Sequence, residues 1–331
     1  MEVLVTGAAG FLGSHLTESL ARRGDTVTGV DRRVAPPVPW GRHLVEDVVA
    51  GGGTWRREAA AADAVVHLAA RPGVRAAEAG VEAARRRDIL DSTRAVMAAT
   101  PLRTPLIVVS SSAVYGDAPT GRGSREDDPL RPVGSYGQWK LRVEALCSRR
   151  RAQGGLVSVA RPFTVAGPRQ RPDMAVSRWL SDALAGRPAT VLGGLDRTRD
   201  VSDVDDVTAG LLALVDRGVH DRLGVTVNLG PGTPRSHADV LDAVARVTGT
   251  GVDVVVRPSH PDEVRHSCAD PSLARDVLGI DPHTDLDDVV GRQLSAMAHG
   301  ETPIPIRWMV GGDAGDAAME EVRPGTGPAP W

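Results

Sequence analysis

Residues 2 to 31 leave the chain little choice of fold at its start. Glu2-Val3-Leu4-Val5-Thr6 is an apolar run that reads as a buried strand, and Gly7-Ala8-Ala9-Gly10-Phe11-Leu12-Gly13 follows as a glycine-spaced turn. A helical pattern then runs to about Arg23, and Thr26 to Val30 reads as a second strand that ends at Asp31. Strand, glycine turn, helix, strand and acid in that order form the context in which a dinucleotide is held. Gly7, Gly10 and Gly13 let the backbone approach a pyrophosphate at a helix N-terminus, where free N–H groups and the dipole favour negative charge. Asp31, 18 residues after Gly13, is placed to accept hydrogen bonds from an adenosine ribose. Its carboxylate would repel a 2′-phosphate and so favours NAD over NADP, while Arg32 and Arg33 beside it pull the other way.

Further apolar runs recur between helical patterns, at Ala64 to Leu68, Leu106 to Val109 and Leu156 to Ala160. Such alternation predicts an α/β fold, a doubly wound parallel sheet with helices on both faces. Asp88 to Ala99 and Tyr136 to Arg151 read as amphipathic helices. After Pro162 the texture changes to loops rich in Pro, Arg and Asp with shorter elements, among them Val225 to Leu229 and Val252 to Val256, which we assign to a smaller substrate-binding lobe. The division expected is a dinucleotide-binding domain over residues 1–163, with 203–226 returning to it, a lobe over 164–300, and a Gly- and Pro-rich tail over 301–331 that is poorly packed or disordered.

Bulk properties exclude several classes. A net charge of -3 with both signs interspersed offers no basic face for nucleic acid or an anionic membrane. Cys147 and Cys268 are too few and too far apart for a disulfide framework or a metal site. No run of about 18 apolar residues occurs, and no charged and apolar leader precedes the first strand. A soluble, unprocessed protein of the cytoplasm is expected.

The chemistry concentrates between Ser110 and Lys140. Of 39 Lys and Arg residues only Lys140 is lysine, and the two tyrosines, Tyr115 and Tyr136, both lie in this stretch. Tyr136 and Lys140 stand four residues apart and share a helix face, opposite the hydroxyls of Ser110-Ser111-Ser112 at the carboxyl end of a strand. A tyrosine near its ordinary pKa of about 10 is mostly protonated, so a base role requires something to lower it. Lys140 is the expected source. Tyr115 suits packing beside the site and is given no chemical role.

Taken together, these residues resemble the extended short-chain dehydrogenase/reductase family, the nucleotide-sugar epimerases and dehydratases. The resemblance spans about residues 1 to 295 and rests on Thr6 to Gly13, His67-Leu68-Ala69-Ala70, Ser110 to Gly116, Tyr136 with Lys140, and Arg199-Asp200. It implies a Rossmann-type sheet, a homodimer and NAD as cofactor. Gly7, Gly10, Phe11, Leu12, Gly13, Asp31, Arg32 and Pro162 would contact that cofactor, Asp47 and Val48 its adenine, and Leu68, Ala69 and Ala70 would line its groove. Tyr136, Lys140 and Ser111 would be catalytic, Lys140 would also hold the nicotinamide ribose, and Ser112 would touch the substrate. Arg199 matches an arginine that grips the diphosphate of a nucleotide sugar.

Phe163 to Met174 is similar, more narrowly, to a segment of UDP-glucuronate 4-epimerases. That similarity implies that Thr164 and Arg171 hold the sugar carboxylate, a role suited to a small hydroxyl and a guanidinium fork. Departures narrow the activity. Ser112-Ala113 stands where 4,6-dehydratases carry an Asp-Glu pair, and Ala113 where UDP-glucuronate decarboxylases usually keep a glutamate. Ala166 replaces a usual tyrosine, Asp88 a usual asparagine, and His260 stands where a second phosphate-binding arginine is expected. The reading is an NAD-dependent 4-epimerase interconverting UDP-glucuronate and UDP-galacturonate. Its rivals are a UDP-glucose-type 4-epimerase, an NADPH-dependent nucleotide-sugar reductase and a non-catalytic dinucleotide-sensing regulator.

Overall fold

The computed structural model describes residues 1–34, 41–71, 73 and 81–301. Seven strands form a parallel central sheet: β1 (Glu2–Thr6), β2 (Thr26–Asp31), β3 (Arg42–Val45), β4 (Ala64–His67), β5 (Leu106–Val109), β6 (Val157–Pro162) and β7 (Thr226–Leu229). Their spatial order is β7-β6-β5-β4-β1-β2-β3. Because β1 pairs with β2 on one side and β4 on the other, the connections leave in opposite directions there, and a crevice opens beyond the carboxyl ends of these strands. The inner strands are buried and mostly apolar because both faces are covered, β5 wholly so.

One face is covered by α1 (Phe11–Arg22) and by α7, whose range is Val204–Asp221, with Leu16, Leu20, Leu211 and Leu214 packed on Val3, Val5 and Val66. The other carries α2 (Trp55–Ala61), α3 (Val81–Arg85) continued by a π-helical turn (Arg86–Asp91) into α4 (Ser92–Ala99), and α5 (Ser135–Ala152). Away from the sheet, a third apolar cluster joins α6 (Ala175–Leu184), α8 (His237–Thr248) and α9 (Leu286–Ala298) around the parallel strand pair Ala189–Leu192 and Val254–Arg257.

Two expectations need correction. Thr226 to Leu229, read from its sequence as part of the smaller lobe, pairs with Val159 to Pro162 as the edge of the central sheet. A four-residue strand carries no local mark of its partner, since parallel pairing is set by distant chain. The second concerns α5. Its buried positions, Gly137, Lys140, Val143, Glu144, Cys147 and Arg150, have helical spacing, but half of them are charged. The Gly- and Pro-rich tail lies outside the described residues.

The buried charges of α5 are met by neighbouring elements: Lys140 and Glu144 by strands, Arg150 by the carbonyls of Met97, Thr100 and Pro101 at the end of α4. Glu144 accepts from Ser110 Oγ at 2.6 Å and, bidentately, from Arg161 Nε and Nη2 at 3.0 and 2.6 Å. Arg161, on β6, also donates to the Tyr115 hydroxyl at 2.6 Å, which in turn donates to Asn228 of β7. Removing one partner of such a pair strands the other charge away from water. Arg161→Met is therefore expected to cost about 3–5 kcal/mol, read by urea unfolding. Arg246→Ala, which breaks the solvent-exposed pair with Asp287, should cost far less. Equal costs for the two would contradict this ranking.

Candidate functional site

A cavity of about 940 Å³ opens at the carboxyl ends of the strands and continues toward the third cluster. Every residue singled out from the sequence as a cofactor, catalytic or substrate contact lines it. Its first part is built by the glycine turn. Gly7 has φ of +74°, and a Cβ there would lie 2.7 Å from the Ala69 nitrogen; a Cβ on Gly13 would lie 2.0 Å from the Gly7 carbonyl oxygen. These close approaches let α1 begin directly behind β1. No side chain caps the helix at Gly10, so its first N–H groups remain available to an anion.

Asp31 accepts from the backbone N–H of Ala9 at 3.2 Å and of Arg33 at 3.0 Å, and from the Arg33 guanidinium at 3.2 and 3.3 Å. Arg32 turns away from it, to Asp88 at 3.2 Å. Asp47 is paired with Arg87, Val48 is buried in the core, and Leu68 to Ala70 continue β4 along the groove. Behind the groove His67 bridges Thr6 Oγ1 at 2.7 Å and Thr93 Oγ1 at 3.1 Å. Burial, helped by the charge of Lys140, lowers its pKa to about 3, so the imidazole is neutral. An anion-ready helix start, a carboxylate at the end of β2 and an apolar groove suit an adenine dinucleotide.

The middle of the cavity holds the reactive groups. Ser111 caps the short 3₁₀ turn Ser112–Val114, its hydroxyl accepting from the Ala113 N–H at 3.2 Å, and lines the cavity near Tyr136. Lys140 Nζ donates to the Val109 carbonyl at 2.7 Å and lies 5.9 Å from the centre of the Tyr136 ring. Burial lowers the Lys140 pKa to about 8, against the opposing pull of Glu144 and Cys147.

Tyr136 behaves differently from the expectation. Burial raises its pKa above the ordinary value, and what opposes the rise is Arg171, the Ser111 hydroxyl and Arg85. Lys140 does not act on the phenol as foreseen, because its ammonium is turned to the carbonyl of β5 and is itself disfavoured by burial. Tyr115, raised to about 12 chiefly by burial, is bonded into the Arg161 network behind the site and does not line the cavity.

The far part is lined by Thr164, Arg171, Asp173, Met174, Trp179, Thr190, Leu192, Arg199, His237 and Glu263. Arg171 is held by Asp173 through two hydrogen bonds, Nε to Oδ1 at 2.9 Å and Nη2 to Oδ2 at 2.7 Å. His237 Nδ1 lies 2.9 Å from the Gly194 carbonyl, which fixes that nitrogen as the donor, and its ring meets Trp179 edge-on. Asp200, the neighbour of Arg199 in its motif, is fully buried and accepts from the N–H groups of Gly232, Thr233 and Ala269. It organises loops rather than touching the cavity. Ala166 is core, and His260 stands outside the lining while Asp262 and Glu263 enter it. Sequence reasoning missed Glu144, Arg85 and Asp173. Glu144 is one turn beyond Lys140 and Asp173 two residues beyond Arg171, spacings that signal contact once the motif residue is placed.

Similarity to known proteins agrees with this geometry. Residues 3–230 match the model of the NAD dependent epimerase/dehydratase family. An uncharacterized UDP-glucose epimerase of Bacillus subtilis (strain 168), YtcB, is 31% identical over 329 residues, covering 91% of this chain and all of that protein. The UDP-glucuronic acid 4-epimerase of Bacillus cereus, solved with UDP-glucuronic acid and NAD, superimposes with a TM-score of 0.83 at 28% identity, over 90% of this chain and 99% of that one. MoeE5, solved with the same two ligands, gives 0.82 at 34% identity, over 91% and 100%. The crevice at the strand switch, the glycine turn with Asp31, and Tyr136 with Lys140 and Ser111 thus stand on the frame of a known group of enzymes: this chain belongs to the NAD-dependent epimerase/dehydratase family, with NAD as its cofactor.

Proposed function

We propose that this protein is an NAD-dependent 4-epimerase of UDP-sugars, and that its substrate pair is UDP-glucuronate and UDP-galacturonate. The observation that carries the reading is the position of Arg171. Its charge acts on the Tyr136 phenol, which puts it at the reacting end of the cavity, whereas Arg199 is felt by His237. A diphosphate would lie with Arg199, and the sugar ring would reach from there toward Tyr136. Arg171 and Thr164 then meet the substituent on C5, and a guanidinium is the group to meet a carboxylate there.

In this reading Tyr136, as phenolate, removes the proton of the 4-hydroxyl while C4 gives up its hydrogen as hydride. Ser111, near enough to ease the ionisation of Tyr136, shares the hydrogen bond to the 4-oxygen. Arg171 and Arg85 supply part of the positive charge that makes the phenolate tolerable in a buried place; NAD, when bound, supplies more of it together with the hydride acceptor. The 4-keto sugar turns over between Arg171 and Arg199, receives the hydride on its other face and takes its proton back from Tyr136. Atoms and electrons balance with no net redox, so the cofactor stays bound through the cycle. Ser112 and Ala113 stand where the family resemblance puts the acid and base of 4,6-dehydratases and the glutamate of decarboxylases, and this favours return of the hydride over water loss or decarboxylation.

A second reading, epimerisation of a neutral sugar such as UDP-glucose, is favoured by one contact. Asp173 already occupies the Nε and Nη2 edge of Arg171, leaving a uronate only the other edge. YtcB is named for that neutral sugar.

Incubation with UDP-glucuronate without added cofactor, followed by NMR, should yield the 4-epimer. Arg171→Ala should then lower kcat/KM for UDP-glucuronate about 10- to 100-fold and that for UDP-glucose less, since a neutral sugar loses only the support that Arg171 gives the phenolate. Turnover of UDP-glucose alone would establish the second reading, and a pentose product would mean decarboxylation. The pH dependence follows from Lys140. With a pKa lowered to about 8, it is charged below that pH and neutral above it, so its positive charge beside the proposed cofactor site is lost as pH rises. The rate at saturating substrate should fall above about pH 8, and a profile flat to pH 10 would show that the ammonium charge is not needed.

A further inference from the structure

The adenosine end of the cavity contains a cluster of charges that binding NAD does not by itself require. Asp88, in the π-helical turn, has its side chain 6% exposed and receives three guanidinium groups from separate places in the chain. Arg32, beyond β2, donates to Oδ2 at 3.2 Å; Arg71, beyond β4, donates to the same oxygen at 3.2 Å; and Arg87, beside it, donates to Oδ1 at 2.9 Å. Arg87 reaches on to Asp47, and Arg33 is engaged with Asp31 through both Nε and Nη2. Thus the two arginines that directly follow the ribose-binding acid, the residues best placed to receive a phosphate on the adenosine ribose, are each committed to a buried carboxylate. The family resemblance implies a neutral asparagine where Asp88 stands.

We propose that Asp88 is a cofactor-specificity residue, which holds Arg32 across the crevice and away from a 2′-phosphate and so keeps this chain on NAD although two arginines follow Asp31. The inference rests on the assignment of this cavity to NAD and adds the residue that rejects its phosphorylated counterpart. A 2′-phosphate brings a double negative charge that binds well only to guanidinium groups free to converge on it. Arg32 is 47% exposed and has the freedom to swing, but leaving Asp88 gives up a charged hydrogen bond to a buried oxygen, so NADP binding bears the loss of that bond as well as the repulsion of Asp31. Replacing Asp88 by asparagine keeps the shape, removes the charge and releases Arg32.

The test is equilibrium binding of NAD and NADP to the full chain freed of nucleotide, followed by calorimetry, for the parent, Asp88→Asn, Arg32→Ala and the double variant. Asp88→Asn is expected to improve NADP binding relative to NAD by at least about tenfold, roughly the worth of one charge-assisted hydrogen bond. Arg32→Ala alone should leave the NADP to NAD ratio unchanged, because in the parent that guanidinium is not offered to the phosphate; in the Asp88→Asn background it should abolish the gain. An unchanged ratio in Asp88→Asn, or a gain that survives loss of Arg32, overturns the proposal. Arg32→Ala leaves Asp88 with Arg71 and Arg87, so it remains informative even if Asp88→Asn folds poorly: a selective loss of NADP binding in that variant would mean that Arg32 serves the phosphate in the parent, which overturns the proposal. Failure of NAD itself to bind the parent would instead overturn the assignment of the cavity.

Discussion

The bidentate pair between Glu144 and Arg161 fixes the reactive centre. It ties α5 to β6, Ser110 to α5, and through the Tyr115 hydroxyl reaches β7. Tyr136 and Lys140 are the two preceding turns of the same helix, so the distance between the phenol and the serines at the end of β5 depends on a buried ion pair that meets Ser110 directly and lies two turns from Tyr136. Such a pair is a poor source of net stability, because two charges must leave water to form it. What it provides is register. An apolar face on α5 would tolerate sliding along the sheet, while a carboxylate that must meet both a hydroxyl and a guanidinium fork does not.

Placing the phenol in this way has an electrostatic cost. The surroundings that hold Tyr136 also disfavour its phenolate, and the same burial takes the pKa of Lys140 down to about 8. Besides Lys140, whose ammonium lies 5.9 Å from the ring centre, Arg171 and Arg85 act on the phenol, and both come from outside α5. In the proposed reaction this couples acid–base chemistry to occupancy, since the phenolate becomes accessible only as positive charge accumulates around it. It also gives Arg171 two duties, one toward the substrate and one toward the base. A carboxylate arriving on Arg171 would weaken its support of the phenolate, and Asp173, already on that guanidinium, sets how much of its charge either partner feels.

What could be read from the sequence divides along the range of the interactions. The glycine turn, Asp31, and Tyr136 with Lys140 were legible because each depends on local spacing and on residue types with few alternatives. Arg171 was legible as a contact through its segment. Its electrostatic link to Tyr136 was not, since 35 residues separate the two. The inference that Lys140 depresses the tyrosine failed for a physical reason: helical spacing brings two side chains to one face but does not say where the ammonium turns, and here a carbonyl at the end of β5 claims it. Asp88 looked like a simple departure, and only the fold brings Arg32, Arg71 and Arg87 around it. Thr226 to Leu229 was misplaced because strand pairing is a long-range choice.

The central claim is that the site does not ionise Tyr136 by itself and that the bound cofactor changes this. The chain offers a clean test, because it has only two tyrosines and Tyr115 is held near 12. With ¹³Cζ-labelled tyrosine, the NMR titration of the resonance lost in Tyr136→Phe reports the reacting phenol alone. The account predicts that this resonance titrates above the ordinary tyrosine value of about 10 in the nucleotide-free protein and moves to lower pH when oxidised NAD is bound. A phenol that already ionises near neutral pH without NAD, or one whose titration is the same with and without it, would contradict the account.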